Sequence, residues 1–138
     1  MPRLFAGLAL IAVLALTGCR TAPLYDVSNV AFTIPPTSVK RILTLADYKD
    51  AIIRAGSTRH WTFVDGGPGH LIGSVTVRGK HSATVDIMFD TESFSIKHKS
   101  SQNLNYNASS RQIHPNYNSW INLLEQDIQA EITRMKVG

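Results

Sequence analysis

The stretch HLIGSVTVRGKHSATVDIMFDTESFSIKHK, residues 70–99, decides the fold of this 138-residue chain. Apolar and polar residues alternate in three runs, which is typical of strands with one buried face and one wet face. Turn signals separate the runs at Gly79-Lys80 and at Asp90-Thr91-Glu92. The stretch therefore predicts a three-stranded antiparallel meander. Its core-facing residues are expected to be Leu71, Val75, Val77, Ala83, Val85, Ile87, Phe89, Phe94 and Ile96.

A helix is predicted on each side of this meander. Thr44 is a good N-cap with Asp47 three residues on, so the first helix is expected to cover about Leu45 to Ala55, with Gly56 at C′. The second helix is expected to run from about Pro115 to Met135, because apolar residues recur there at helical spacing. The predicted fold class is α+β, a two-layer α-β-β-β-α arrangement with both helices on the apolar sheet face.

The N-terminal residues have the layout of a secretory signal peptide. Arg3 supplies a short positive region, residues 4–16 are apolar, and small residues precede Cys19, the only cysteine. A transmembrane helix is one alternative, but it needs about 20 apolar residues. A cleaved signal with a chance cysteine is another, although exported cysteines normally pair and Cys19 has no second cysteine to pair with.

The four residues Leu16-Thr17-Gly18-Cys19 resemble the lipobox of bacterial lipoproteins. In that family the cysteine receives a diacylglycerol, the chain is cut before it, and the new amine is acylated, for example with palmitate. The resemblance implies that Cys19 is the first mature residue and the lipid anchor. In enteric bacteria, Asp at the next position retains a lipoprotein in the inner membrane. Because Arg20 stands at that position, the resemblance implies that the protein is located in the outer membrane, on its periplasmic face. Other bacteria use other sorting rules.

Three parts of the chain follow from this reading. Residues 1–18 are the expected signal peptide, residues 19–38 a lipidated tether, and residues 39–138 a single α+β domain. Pro23, Pro35 and Pro36 favour an extended path in the tether. Within it, residues 27–34 are apolar enough to pack on the domain as an edge strand. Residues 61–64 could also begin a strand, which the turn cluster at residues 65–69 must interrupt.

The charge of the chain excludes one class of partner. The formal charge is +4 and becomes +3 once Arg3 is removed with the signal, and no Lys/Arg run is long enough for a nucleic-acid patch. The expected partners are the membrane, through lipid on Cys19, and an envelope protein or polymer, with no nucleic acid.

The region from residue 100 to residue 118 is the least ordinary part of the mature chain. It is rich in asparagine and tyrosine, whose side chains can recognise a ligand. Asparagine also tolerates left-handed turns and caps helices, so a purely structural role stays open. A second candidate surface is the wet sheet face around Arg78, Asp86, Lys97 and Lys99. The candidate binding residues of the loop are Asn103, Asn105, Tyr106, Asn107, His114, Asn116 and Asn118.

Catalytic and metal-binding patterns do not emerge from the sequence. The five histidines lack HxH or HxxxH spacing, and no Gly-x-Ser-x-Gly elbow is present, so no catalytic residue, metal or cofactor is expected. The leading hypothesis is a non-enzymatic binding or envelope-assembly accessory lipoprotein at the outer membrane. One alternative is a small-ligand or glycan-binding lipoprotein. Another is a small envelope hydrolase that uses His114 or His81 with a carboxylate.

The mature part of the chain also carries a resemblance. Asn-Leu-Asn-Tyr-Asn at residues 103–107, followed by Ile-His-Pro-Asn-Tyr-Asn-Ser-Trp-Ile at residues 113–121, is similar to small proteobacterial lipoproteins with no assigned role. The predicted helix–sheet plan is similar to small accessory lipoproteins of outer-membrane assembly, a likeness of fold alone. Neither resemblance implies catalytic residues.

Overall fold

The computed structural model describes residues 20–33 and 39–138. The expected signal peptide, Cys19 and residues 34–38 of the expected tether lie outside the described residues. Strands and helices follow in this order: β1 (Ala22–Pro23), β2 (Val27–Ala31), α1 (Leu45–Ser57), β3 (Thr62–Asp65), β4 (His70–Val77), β5 (His81–Phe89), β6 (Ser93–Gln102), β7 (Gln112–Ile113) and α2 (Pro115–Val137).

The predicted fold class, a three-stranded meander with one helix before and one after it, is wrong. The structure is mostly sheet: five antiparallel strands in the order β2-β6-β5-β4-β3, a two-stranded sheet of β1 and β7, and two helices. The strands that alternation did not predict are short: β1 and β7 have two residues each, and β3 has four, most of them exposed. Such strands owe their pairing to the neighbouring strand rather than to an apolar pattern of their own.

The central strands β4, β5 and β6 correspond to the three alternating runs. Leu71 lies opposite Ile87, which lies opposite Ile96, and Phe89 lies opposite Phe94. These side chains and the buried faces of both helices form one core. The apolar residues of β4, β5 and β6 buried in it are Leu71, Val75, Ala83, Val85, Ile87, Phe89, Phe94 and Ile96.

Helix α1 begins as predicted and ends later. Asp47 N–H donates to Thr44 Oγ1 at 3.2 Å, and Thr44 N–H donates to Asp47 Oδ2 at 2.9 Å, which completes a capping box. The hydrogen bond from Thr44 N–H lowers the pKa of the Asp47 carboxyl. The expectation that Gly56 lies just past the helix is wrong, because α1 continues to Ser57 and Thr58 is its C-cap.

Gly56 instead allows a close approach between α1 and the sheet. A Cβ atom on Gly56 would lie 2.3 Å from Phe63 Cζ and 3.1 Å from Trp61 Cβ. A Cβ atom on Gly73, in β4, would lie 3.0 Å from Cε1 of the same Phe63 ring. The ring therefore packs between two glycines, one from the helix and one from the neighbouring strand.

Replacing Gly56 with alanine is expected to lower the free energy of unfolding by about 1–2 kcal/mol. Alanine gains up to about 1 kcal/mol in helix propensity, but overpacking against Phe63 costs about 1–3 kcal/mol. Urea denaturation measures the difference. In a Phe63→Leu background the loss is expected to shrink, since the clashing ring is gone. A stabilising Gly56→Ala would contradict the packing described above.

Helix α2 begins at Pro115, as predicted, and runs to Val137. Lys136, in its last turn, accepts backbone hydrogen bonds from Lys40 N–H at 2.9 Å and Arg41 N–H at 3.0 Å, which fixes the chain before α1. Neither helix of the described residues is long and apolar enough to cross a membrane. The residues that α2 buries are Tyr117, Ile121, Leu124, Ile128 and Ile132.

Most of the described part of the expected tether is folded onto the domain. Ala22 pairs with Ile113 in the two-stranded sheet. Asn118, in the first turns of α2, donates from Nδ2 to Pro23 O and accepts from Tyr25 N–H at Oδ1, each at 2.9 Å. Strand β2 is the edge strand that the apolar stretch from residue 27 predicted, and it pairs with β6. Among the described residues, the folded domain therefore includes β1, which lies three residues after Cys19.

Candidate functional site

A cleft of about 370 Å³ lies where β2 and β6 meet the loop between β6 and β7, and we name it the Tyr106 cleft. Strand β6 supplies two of its residues, the chain at the start of β2 supplies two more, and the loop closes the remaining side. The lining residues are Leu24, Asp26, Lys97, His98, Tyr106, Ala108 and Arg111.

Aromatic rings form one wall of the Tyr106 cleft. The His98 ring lies against the Tyr106 ring, with centroids 4.1 Å apart and planes inclined by 37°. On another side, His98 meets the edge of the Tyr117 ring at 5.4 Å, and Ser101 Oγ lies 2.9 Å from its Nε2. Tyr106 is 39% exposed, whereas Tyr117 is fully buried. The Tyr106 ring in the cleft is thus backed by the partly buried His98, which in turn packs on the buried Tyr117.

Charged groups form the other wall. Arg111 donates from its guanidinium to Asp26 Oδ2 at 2.5 Å, and Lys97 Nζ lies 3.9 Å from the same oxygen. Lys97 also donates to Ser28 Oγ. Arg111 adopts a left-handed backbone conformation with φ at 53°, which few side chains adopt without a local reason. Two cations therefore flank one carboxylate at the entrance.

The buried Tyr117 hydroxyl lies near this cleft and has no hydrogen-bond partner among the described residues. Burial raises its pKa well above the usual value, and the negative charge of Asp26 raises it further. An unpartnered buried hydroxyl is uncommon in folded proteins because it costs about 1–3 kcal/mol.

The His98 pKa is expected to lie below its usual value of about 6.5. Burial is the largest cause; the charge of Asp26 acts in the opposite direction, and that of Arg111 lowers the pKa further. Because unfolded His98 then binds its proton at higher pH than folded His98, its contribution to stability is lost as pH falls below about 6.5. An NMR titration of the ring measures the pKa directly.

Two substitutions test which charges act on His98. Arg111→Gln is expected to raise the His98 pKa and Asp26→Asn to lower it, while Arg59→Gln, at an ion pair with Asp127, is expected to leave it unchanged. An equal response to all three changes would contradict the described geometry.

Several of the predicted loop residues stabilise turns of the backbone through hydrogen bonds. Asn103, with φ at 58°, donates from Nδ2 to Lys80 O at 2.7 Å, and its own carbonyl lies 2.8 Å from His81 Nδ1. Asn107 Oδ1 accepts from Ser109 N–H at 3.0 Å and from Ser110 N–H. Both are arrangements that asparagine favours in turns.

The remaining predicted loop residues lie near the start of α2 or, for Asn105 and Tyr106, in the loop between β6 and β7. His114 is the N-cap, and its Nδ1 accepts from Asn116 N–H at 3.1 Å. Asn118 binds the N-terminal segment, as described above, and Asn105 has φ at 52°. Of the seven predicted loop residues, Tyr106 alone lines the cleft described here. That the others form a binding surface stays a prediction.

The wet sheet face does not form one cluster with the loop. His70 Nε2 lies 2.7 Å from Asp86 Oδ1, and Lys99 Nζ lies 3.8 Å from Asp86 Oδ2. Arg78 lies in the turn between β4 and β5 with φ at 56°. Only Lys97 of this surface reaches the Tyr106 cleft. In residues 20–33 and 39–138, no group of three His, Cys, Asp or Glu side chains could hold a metal ion.

Sequence reasoning missed Asp26, His98 and Arg111 as cleft residues. One signal pointed to His98: it occupies the inward position after Phe94 and Ile96, where a polar residue is unusual. Asp26 and Arg111 gave no such signal, because they are 85 residues apart and meet only in the folded chain.

Comparison with known proteins found no matching family model, curated protein or solved structure. What the cleft does is therefore inferred from its own residues.

Proposed function

We propose that this protein is a lipoprotein, anchored through Cys19 in the outer membrane and facing the periplasm, that acts as a non-enzymatic binding or envelope-assembly module. The observation that carries this proposal is that the lipobox-like sequence ends at Cys19 and β1 begins at Ala22. Three residues reach at most about 10 Å, so acyl chains on Cys19 would hold the domain close to the bilayer. Two or more such chains give stable anchoring.

The hydrogen-bond partners of two histidines favour a binding role over hydrolysis. His81 Nδ1 lies at the carbonyl of Asn103, and His114 Nδ1 caps α2. Within the described ranges, His70 is the histidine that lies within 4.0 Å of a carboxylate oxygen, that of Asp86, and neither His81 nor His114 has such a partner. The Tyr106 cleft offers an aromatic face beside fixed charges, which is typical of recognition sites. It supports the second candidate function, a small-ligand-binding lipoprotein.

The anchor is tested by replacing Cys19 with serine. Because serine cannot form the thioether, the variant is expected to incorporate no labelled palmitate and to keep residues 1–18. It is also expected to be absent from the outer-membrane fraction. Mass spectrometry, palmitate labelling and membrane fractionation measure these outcomes. Thr21→Ser is the matched control and is expected to be processed normally. Normal processing and acylation of Cys19→Ser would refute the lipoprotein assignment.

A protein partner is tested by in-cell photo-crosslinking from Ser109, an exposed residue in the loop between β6 and β7. A discrete adduct of higher mass is the expected result for an assembly module. A matched probe at Thr76, exposed on β4, is expected to give no such adduct. If the protein is correctly anchored and neither probe crosslinks, ligand binding in the Tyr106 cleft becomes the favoured role.

A further inference from the structure

We propose that the Tyr106 cleft binds a zwitterionic group in which a phosphate and a protonated amine are covalently linked, as in phosphoethanolamine. The group belongs either to a membrane lipid headgroup or to a free small molecule. The proposal deepens the ligand-binding candidate, and only its lipid source rests on the anchoring through Cys19.

The phosphate half of such a group matches the two cations of the cleft. Arg111 and Lys97 both approach Asp26 Oδ2, at 2.5 Å and 3.9 Å, so their donors converge on one point at the entrance. A guanidinium can bind phosphate oxygens through two parallel N–H bonds, and an ammonium adds a compact charge. Both side chains are partly exposed, so a phosphate can reach them without opening the core.

The amine half matches the remaining groups of the cleft. Asp26 Oδ2 carries both ion pairs, which leaves Oδ1 to accept from an ammonium. The Tyr106 ring is held by His98 and 39% exposed, so its face can receive a cation. A cation over an aromatic face gains about 0.5–2 kcal/mol.

The mixture of charges selects against simpler ligands. A neutral sugar would displace water from Asp26, Lys97 and Arg111 without offering any of them an opposite charge. Inorganic phosphate would match the cations but would face the Asp26 carboxylate. A linked phosphate and amine places an opposite charge beside every charged group of the cleft.

The position of the cleft makes lipid headgroups an accessible source of this ligand. Leu24 lines the cleft and is five residues after Cys19, so at most about 17 Å of chain separates them. If the acyl chains of Cys19 lie in the bilayer, Cys19 itself lies at the level of the headgroups. The cleft is then within reach of the headgroup layer that holds the anchor.

Ligand binding is measured with the full chain in a neutral detergent, using O-phosphoethanolamine, inorganic phosphate and ethanolamine as separate probes. NMR signals of His98 and Tyr106 report occupancy. Phosphoethanolamine is expected to bind at least tenfold more tightly than either half alone. Arg111→Gln, Asp26→Asn and Tyr106→Leu are each expected to weaken it at least tenfold. Arg59→Gln, which breaks the ion pair with Asp127, is the matched control and is expected to leave binding unchanged.

Two results with the soluble probes would overturn the proposal. One is that phosphoethanolamine binds no more tightly than inorganic phosphate. The other is that Arg59→Gln weakens binding as much as Arg111→Gln. Melting temperatures of all variants separate loss of binding from loss of folding, and Tyr106→Leu, at a half-exposed position, keeps the test valid if Asp26→Asn unfolds. Because these probes are free in solution, their failure is distinct from a failure of acylation at Cys19.

The source of the ligand is decided in nanodiscs. The acylated protein is placed in discs of phosphatidylethanolamine or of phosphatidylglycerol, whose headgroup has the phosphate but no amine. A shift of the His98 signals in the first discs alone assigns the lipid headgroup as the ligand. Signals that shift only when phosphoethanolamine is added assign the free molecule. Signals that shift in neither case would overturn the proposal.

Discussion

Replacing Phe94 with alanine is expected to lower the free energy of unfolding by about 3–5 kcal/mol. Phe94 is 1% exposed, and its ring stacks on Phe32 with centroids 5.2 Å apart. Phe32 in turn contacts the Tyr48 ring of α1 at 4.8 Å, so the ring of Phe94 connects the sheet to the helix layer. Truncation removes apolar contacts and leaves a cavity that the surrounding strands cannot close. Urea denaturation measures the loss.

Val64→Ala is the matched control on the opposite face of the same sheet. Val64 is 65% exposed, so its truncation is expected to change the free energy of unfolding by no more than about 0.5 kcal/mol. Similar losses for Phe94→Ala and Val64→Ala would mean that the helices do not cover the face assigned here as the core.

Replacing Gly69 with alanine is expected to lower the free energy of unfolding by about 2–5 kcal/mol. Gly69 has φ at +67°, a left-handed conformation that costs alanine about 1–2 kcal/mol. A Cβ atom there would also lie 2.5 Å from Phe89 O, a backbone atom that cannot rotate away. Overpacking of this kind costs about 1–3 kcal/mol more. Gly69 O also accepts a hydrogen bond from Phe89 N–H at 2.9 Å, and this bond would break if the added methyl group pushed Gly69 away from Phe89.

Gly79→Ala separates the two causes. Gly79 has nearly the same backbone, with φ at +63°, but a Cβ atom there would meet nothing within 4 Å. Gly79→Ala is expected to lower the free energy of unfolding only by the cost of the left-handed backbone conformation, about 1–2 kcal/mol. Thermal unfolding of both variants gives the difference that the clash with Phe89 contributes. Equal losses would show that the β4–β5 pair can shift to accept a methyl group at Gly69.

Local patterns located individual strands and helices, although the predicted fold class was wrong. The alternation in residues 70–99 identified the buried faces of β4, β5 and β6, because each strand has one core face. The Thr44–Asp47 capping box and Pro115 located the helix starts, since both depend on neighbouring residues alone. These features need no knowledge of distant contacts.

Long-range contacts account for what the sequence did not predict. Strand β1 has only two residues, and it exists because Ala22 meets Ile113 across the folded chain. For β3 the composition of residues 61–64 indicated a strand, but its pairing with β4 at the sheet edge was not predicted. The cleft likewise joins Asp26 to Arg111 across 85 residues. Neither residue has a local pattern that distinguishes it from an ordinary surface charge.

Helix α2 sets a distance between the two ends of the domain. Asn118 binds the chain that follows Cys19, and Lys136 binds the chain at Arg41, 18 residues further along the same helix. At 1.5 Å per residue the two attachments are about 27 Å apart. Ile42, which follows Arg41, is 92% exposed. A domain attached at Cys19 therefore carries this exposed apolar side chain at its remote end, where the helix acts as a rigid spacer of fixed length.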